Sequence, residues 1–431
     1  MPAFFAIIPL RRFLAPAACA AAFLLPAAAG AAPVAPIQDL ARQEQQPLLD
    51  TLRDLVSIES GSKDLEGLEK LAALIAERLR QLGGQVEILP PADVFRMDDT
   101  PAKTGSMVQA VWKGSGTKKI LLIAHMDTVY LRGMLKDQPF RIQGERAYGL
   151  GIADDKQGIA LIVHTVAMLN KLGVKDYGTL TVLINGDEEI SSPGSRSTIT
   201  RVASVQDAVF SFEGGGNDGS LRLATSGIGS AYLTVEGRSS HAGARPEGGI
   251  NALYELSHQI LQMKDLSQND KGLKLNWTVS QAGTNRNVIP AQATAQADAR
   301  ALRVADFDQL QVAMQERVKR QLVPDAKVQL KFEVRRPPLE ATVASRKLGA
   351  HAQSIYVELG REMQVLDVAT GGGTDAAFAA LQARGAVIEG FGLNGFGAHS
   401  NDAEYVVIGT IVPRLYLATR LIMDVAQDKV K

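Results

Sequence analysis

The sequence predicts an α/β protein whose larger domain is interrupted by a smaller, ferredoxin-like domain. Three observations carry this. Short apolar strands alternate with amphipathic helices through the first half of the chain. The order strand–helix–strand–strand–helix–strand then fills residues 227–338. Pro337-Pro338 breaks the chain, after which helices and a strand resume. At 431 residues, with 46% of them hydrophobic, the chain is long enough for two or three domains with real cores.

Each element has its own signal. Leu68, Leu71, Ile75, Leu79 and Leu82 recur at helical spacing and stop at Gly83-Gly84, a glycine-terminated amphipathic helix. Residues 86–89, 107–112 and 120–124 read as strands, 159–169 as a buried helix, and 180–184 and 208–212 as buried strands. In the inserted unit the strands are 231–235, 275–280, 294–299 and 328–334, with helices at 251–263 and 307–322. Beyond it come a helix at 345–359, a glycine-rich turn, a strand at 387–389 and a last helix at 411–425. The expected division is 1–32 as a signal peptide, 33–226 and 339–431 as the two parts of the larger domain, and 227–338 as the insertion.

Arg11 and Arg12 precede an uncharged apolar run, and small residues follow at 27–32, the pattern of an export signal cut after Ala31 or Ala32. The run is too short and too proline-interrupted for a membrane span. The expected location is therefore periplasmic or secreted, with no membrane partner. With 46 basic and 46 acidic side chains there is no electrostatic reason to expect nucleic acid. The single cysteine, Cys19, lies in the signal and excludes internal disulfides and thiolate-rich metal sites.

Five segments place His, Asp and Glu at strand ends or a helix head. They are His125-Met126-Asp127, Asp154-Asp155 before the apolar helix, Asp187-Glu188-Glu189, Phe212-Glu213 and Ala398-His399-Ser400. In extended chain His125 and Asp127 share a side, so Asp127 can orient the imidazole. Taken singly, the first pair also reads as a structural hydrogen-bonded unit, and Asp154-Asp155 as helix-capping acids. Together they offer imidazoles and carboxylates without thiolate, a donor set that suits zinc, with cobalt or manganese as substitutes. No G-x-S-x-G or Walker motif occurs, and Gly390–Gly395 matches G-x-G-x-x-G without a following helix, so serine-hydrolase, phosphate-cradle and dinucleotide readings fail. His164, His258 and His351 fall on helices and read as packing or surface residues.

The ordered set His125-Met126-Asp127-Thr128, Gly-Ile-Ala-Asp154-Asp155-Lys156, Asp187-Glu188-Glu189, Phe212-Glu213, Ser240-His241-Ala242-Gly243 and Gly397-Ala398-His399-Ser400 resembles the two-zinc exopeptidases. That family includes glutamate carboxypeptidase, aminoacylase and succinyl-diaminopimelate desuccinylase, and the nearest branch is the bacterial folate-cleaving glutamate carboxypeptidases. The resemblance implies a two-zinc exopeptidase catalytic domain with an inserted lid and dimerisation domain. It implies that Asp154 bridges two zincs per subunit, that His125 and Glu213 complete one site, and that Glu189 and His399 complete the other. Glu188 would be the general base for a metal-bound hydroxide, Asp127 the orienter of His125, and Asp154-Asp155 a cis peptide. His241 would reach into the neighbouring subunit of a homodimer. Arg336, or Arg335 beside it, would hold the substrate's terminal carboxylate, since a guanidinium fork suits that job. Asn287 and the 371–374 loop, with Gly372 and Thr374, would assist. Gln157 departs from the family's usual glycine, and Glu213 is followed by three glycines. The expected activity is hydrolysis of the amide bond to a C-terminal glutamate, in folates or other N-acyl-glutamates. The alternatives are an N-acyl-amino-acid hydrolase or, in another class, a metal-free periplasmic binding protein.

Overall fold

The computed structural model describes residues 32–369, 371–400 and 403–430; the expected cleavage region and the segment before it lie almost wholly outside these. Two helices, α1 (Ala35–Val56) and α2 (Leu65–Gln81), lead into strands β1 (Gln85–Leu89), β2 (Met107–Lys113) and β3 (Lys119–His125). There follow β4 (Arg141–Gln143), β5 (Arg146–Tyr148), α3 (Gln157–Lys171), β6 (Thr179–Asn185), α4 (Arg196–Ala203), β7 (Ala208–Ser211) and β8 (Leu221–Arg222). The inserted unit is β9 (Gly227–Glu236), α5 (Ala252–Gln262), β10 (Lys274–Ala282), β11 (Gln292–Ala301), α6 (Val304–Arg317) and β12 (Lys327–Arg336). The chain ends with α7 (Val343–Glu358), β13 (Val365–Leu366), α8 (Ala376–Ala380), β14 (Ala386–Glu389), β15 (Gly395–Phe396), β16 (Tyr405–Val407) and α9 (Ile411–Ala426).

The large sheet has the order β1-β2-β6-β3-β7-β14-β8-β13, and β6, β3, β7 and β14 run parallel. Alternate residues of β3 explain why helices cover both faces. Ile120, Leu122 and Ala124 join a core built with α1, α3 and α9, whereas Leu121 and Ile123 join one built with α4 and α8. From β3 the chain passes through α3 to β6 on one side, then through α4 to β7 on the other. That reversal makes the carboxyl ends of β3, β6 and β7 a topological switch point, where open α/β sheets bind ligands.

The inserted unit forms an antiparallel sheet of order β10-β11-β9-β12, the ferredoxin-like arrangement expected from its element order. Helix α6 stops at Arg317, not near 322. The amides of Leu322 and Val323 donate to the buried Glu255 carboxylate (2.8 and 2.6 Å), which ties them to α5 instead of a further helical turn. Among the elements that escape the sequence reading are three helices and a whole sheet. Helix α1 carries Pro36 in its first turn and Pro47 inside, which mask its amphipathic pattern. Helices α4 and α8 are only 8 and 5 residues long. A third sheet, β15-β16-β5-β4, is built from strands of two or three residues, too short to show periodicity.

Leu122 is wholly buried in β3, and Leu131, in the loop beyond it, is 75% exposed. In urea unfolding Leu122→Ala is expected to lose about 2–5 kcal/mol, the usual cost of a core leucine. Leu131→Ala should stay within about 0.5 kcal/mol of the parent.

Candidate metal centre

Four carboxylates and two imidazoles converge at the switch point. His125 is the last residue of β3, Glu188 and Glu189 follow β6, and Glu213 follows β7. Asp154 sits in the turn before α3, and its peptide bond to Asp155 is cis. Gly151, three residues earlier, has φ +69°, and a Cβ there would lie 2.4 Å from Thr128, so only glycine fits this approach. His399 arrives through the third sheet. Pairing of β16 with β5 (Tyr405 opposite Tyr148) brings the 395–407 segment against the Asp154 loop.

The two oxygens of Asp154 serve different neighbours. Oδ1 lies 2.9 Å from His125 Nε2, which is also 3.4 Å from Glu213 Oε1. Oδ2 lies 3.2 Å from His399 Nε2, itself 3.1 Å from Glu189 Oε2. In each triad, His125-Asp154-Glu213 and Asp154-Glu189-His399, the donor atoms lie within 4.8 Å of one another. The donors fit a pair of borderline divalent cations such as zinc, and the other oxygen of Glu189, Oε1, is buried without a partner. Burial pulls the His125 pKa down, but Glu213, Asp127 and Asp154 together carry it well above the ordinary imidazole value. Hydrogen bonds to Asp154 and Glu189 push His399 up to about 10.

Asp127 is fully buried and holds more than the imidazole. His125 Nδ1 lies 3.1 Å from the Asp127 carbonyl and 3.4 Å from its carboxylate. The carboxylate accepts from Ser62 Oγ (2.8 Å) and from the amides of Glu188 and Glu189 (2.9 and 3.1 Å). One aspartate thus sets both the His125 ring and the turn that carries the next two acids. Burial pushes Glu188 up to about 8, against the pull of Arg336 and His125.

Arg336 is buried. Its Nη1 is 2.5 Å from Glu188 Oε1 and 3.2 Å from Asp375 Oδ1, and its Nη2 donates to the Glu188 carbonyl at 2.6 Å. Arg335 instead points to Asp99 at the surface, so the neighbouring arginines have different work. Gly373 packs against Arg336, Thr374 is buried, and Gly372 is exposed. Gly372 and Gly373 line a cavity of about 480 Å³ together with Asp154, Glu213, Arg222 and Glu389. His241 stands exposed on the inserted domain, its backbone bridged to Val288, and its Nδ1 accepts from the amides of Gly243 and Ala244 (3.2 and 3.1 Å). Asn287 lies beside it, its carbonyl accepting from Ala242 N at 2.9 Å.

The departures noted in sequence have local causes. The Gln157 amide is fully buried, donates to Asp155 Oδ1 (2.7 Å) and the Phe212 carbonyl (3.1 Å), and accepts from Leu393 N (2.6 Å). It stitches the Asp154 loop to the strand before Glu213. A Cβ at Gly215 would lie 2.5 Å from the guanidinium of the buried Arg414, which donates to the Gly219 and Gly390 carbonyls. His164, His258 and His351 are engaged elsewhere, by Glu44 and Thr51, by the Arg320 carbonyl and by Asp424.

Sequence reasoning passed over Glu404. Its Oε1 accepts from Ala153 N (2.7 Å) and Asp154 N (3.2 Å), and its Oε2 from Gly151 N (2.9 Å) and Tyr130 Oη (2.5 Å). The Tyr130 hydroxyl also reaches the Ser400 carbonyl, next to His399. One isolated acid in no recognisable motif therefore clamps the loops that carry Asp154 and His399. Asp375, directly after the 371–374 loop, was also passed over; it accepts from Asn185 (2.8 Å), Ser192 and Arg336.

Fold and site together define a metal-dependent exopeptidase. The chain belongs to peptidase family M20/M25/M40, whose profile matches residues 121–424. It is 44% identical over 390 residues to carboxypeptidase G2 of Pseudomonas sp. (strain RS-16), covering 90% of this chain and 92% of that one, and is accordingly a metallocarboxypeptidase-type hydrolase. The metal-free binding-protein alternative falls with that. Among solved structures, aminopeptidase PepT from Bacillus cereus has the same fold (TM-score 0.73, 19% identity, 89% of this chain and 99% of that one). So does the Bacillus subtilis YXEP protein, described as a dinuclear metal-binding peptidase of family M20 (TM-score 0.61, 19% identity, 90% and 99%).

If Glu404 positions the Asp154 loop, Glu404→Gln, which turns an amide toward backbone donors, should weaken zinc binding about 10–100-fold, the usual effect of losing an outer partner of a metal ligand. Chelator competition on the folded protein measures this; unchanged affinity would reduce Glu404 to a structural link.

Proposed function

We propose that this chain is an exported zinc carboxypeptidase that releases C-terminal glutamate from folates or other N-acyl-glutamates, using two zinc ions per subunit. The observation that carries the reading is the sharing of Asp154, whose two oxygens face separate His/carboxylate pairs. Two divalent cations, when bound there, supply Lewis-acid polarisation of the scissile carbonyl and acidify the attacking water. The dinuclear description of the YXEP protein and the name of the Pseudomonas relative support the same assignment.

The chain's own residues divide the remaining work. Glu188, a non-ligand acid beside a ligand, takes the proton of the attacking water and passes it to the leaving amine. Arg336 binds the terminal carboxylate, exchanging part of its pairing with Glu188 for the substrate; Asn287, Gly372 and Thr374 assist. The insertion, residues 227–338, is the lid and dimerisation domain, and 33–226 with 339–431 form the catalytic domain. In a homodimer, His241 of one subunit hydrogen-bonds the oxyanion in the other's site. Two amides on Nδ1 leave the neutral ring its proton on Nε2, which makes it a donor there.

A panel of N-acyl amino acids with different C-terminal residues tests the substrate assignment. Glutamate derivatives should lead by at least about tenfold in kcat/KM; equal rates for neutral C-terminal residues would overturn the glutamate preference. Glu188→Ala should keep its zinc and lose about 10²–10⁴ in turnover, and His241→Ala about 10²–10³. Mixed into heterodimers, the two inactive variants should regain activity, because one composite site keeps both groups. No recovery in a mixture shown by mass to contain heterodimers would confine His241 to its own subunit.

A further inference from the structure

The turn that carries Glu188 and Glu189 is held at its front by Asp127 and at its back by a residue outside the donor set. Ser191 and Ser192, which close the turn, have φ of +71° and +53°, a left-handed region that residues with a Cβ keep only under constraint. Arg196, the first residue of α4, supplies that constraint. Its Nη2 donates to the Ser191 carbonyl (2.5 Å) and its Nε to the Ser192 carbonyl (3.4 Å). The backbone amide of Arg196 also donates to the Ser192 carbonyl, at 2.9 Å.

The same Nη2 reaches across the domain boundary. It donates at 2.7 Å to the carbonyl of Arg335, the residue before Arg336 at the end of β12. One guanidinium therefore ties the Glu188 turn to the strand end that bears Arg336. Close packing does not do this on that face, where the boundary is a cleft of about 660 Å³. Phe95, Arg196 and Phe378 line one side of it, and Val304, Val334 and Pro337 the other. Two rings support the fork. The guanidinium carbon lies 4.3 Å from the Phe95 ring centroid and 4.7 Å from that of Phe378, which Arg336 also approaches, at 5.9 Å. A planar fork stacked in this way fixes two backbone segments at once, which a lysine ammonium does not.

We infer that Arg196 is a positioning residue: it fastens the Glu188 turn to the end of β12 and so sets the register in which Arg336 meets Glu188. The 2.5 Å contact between Arg336 Nη1 and Glu188 Oε1 then depends on carbonyls that a third side chain holds. The inference rests on the roles of Glu188 and Arg336 proposed above, and a double-mutant cycle separates its failure from theirs.

The zinc-loaded enzyme is assayed for hydrolysis of N-benzoyl-glutamate and of its α-carboxamide. Arg196→Lys keeps a cation and loses the fork. It should retain the parent's zinc content and lose about tenfold or more in kcat/KM, since misplacing a group by about 1 Å can cost 10²-fold. Combined with Arg336→Lys, it should add less than about threefold to the loss that Arg336→Lys causes alone, because residues that act through one another are non-additive. Phe95→Ala, at a ring 42% exposed, removes one support of the fork without opening the core. It should lose about threefold, so the test stands even if Arg196→Lys folds poorly. Activity within twofold of the parent in both single variants overturns the inference. So do additive losses in the double variant, and so does zinc lost in step with activity, which would make Arg196 a prop of the metal centre. Equal kcat/KM for the acid and its carboxamide in the parent instead denies Arg336 the terminal carboxylate and overturns the function proposed above. The cycle still decides Arg196.

Discussion

A single carboxylate, Asp154, belongs to both donor clusters, and the rest of the architecture is arranged to make that sharing stereochemically exact. Its two oxygens must face His125 and His399, residues separated by more than half the chain. Four buried or half-buried carboxylates around one point repel one another, and burial raises the cost of their charge. Such a gathering is eased by compensating positive charge: Arg336 meets Glu188, and the two imidazoles leave room for more beside Asp154, Glu189 and Glu213. The donor set therefore calls for cations on electrostatic grounds, independent of any family likeness.

The α/β sheet solves the problem of bringing those groups together. Parallel strands β3, β6 and β7 end side by side at the switch point, so one ligand-bearing turn can leave each end without a long loop. Asp127 and Glu404 then act as two hubs. The first joins the β3 end to the β6 turn, and the second joins the Asp154 loop to the His399 region through backbone donors and Tyr130. Both hubs use carboxylates that accept main-chain N–H groups, which fixes backbone as well as side chains. A site held this way is set by loops yet keeps the precision of rigid elements.

Most of the fold was legible because its core strands and long helices carry strong patterns. The run at 120–124 is continuously apolar and that at 180–184 is broken only by Thr181, the pattern of strands buried on both faces. The five metal-donor candidates were legible through ordered motifs, although their grouping around Asp154 is a property of three dimensions. What stayed hidden has physical reasons. The third sheet depends on strands of two or three residues joined across more than 250 positions, where local preference carries no information. Glu404 sits in no motif, and its importance comes from four donors supplied by other segments. The overlong reading of α6 failed because Glu255, on another helix, captures the amides that would have extended it.

The position of Arg336 ties the inserted domain to the chemistry. It is the last residue of β12, and Pro337-Pro338 directly follow, so the strand end enters the catalytic domain through a stiff junction. There its guanidinium meets Glu188 and Asp375 while Arg335, one residue earlier, is still bound to Asp99 at the surface. Placing a charged side chain in that buried position is costly unless its partners stay in place. Any displacement of the inserted sheet must move Arg336, and any change at Glu188 is felt by Arg336 in turn. The junction between the domains is thus part of the site, and under the roles proposed above the position of the inserted sheet, the holding of a terminal carboxylate and the state of Glu188 are coupled through one side chain.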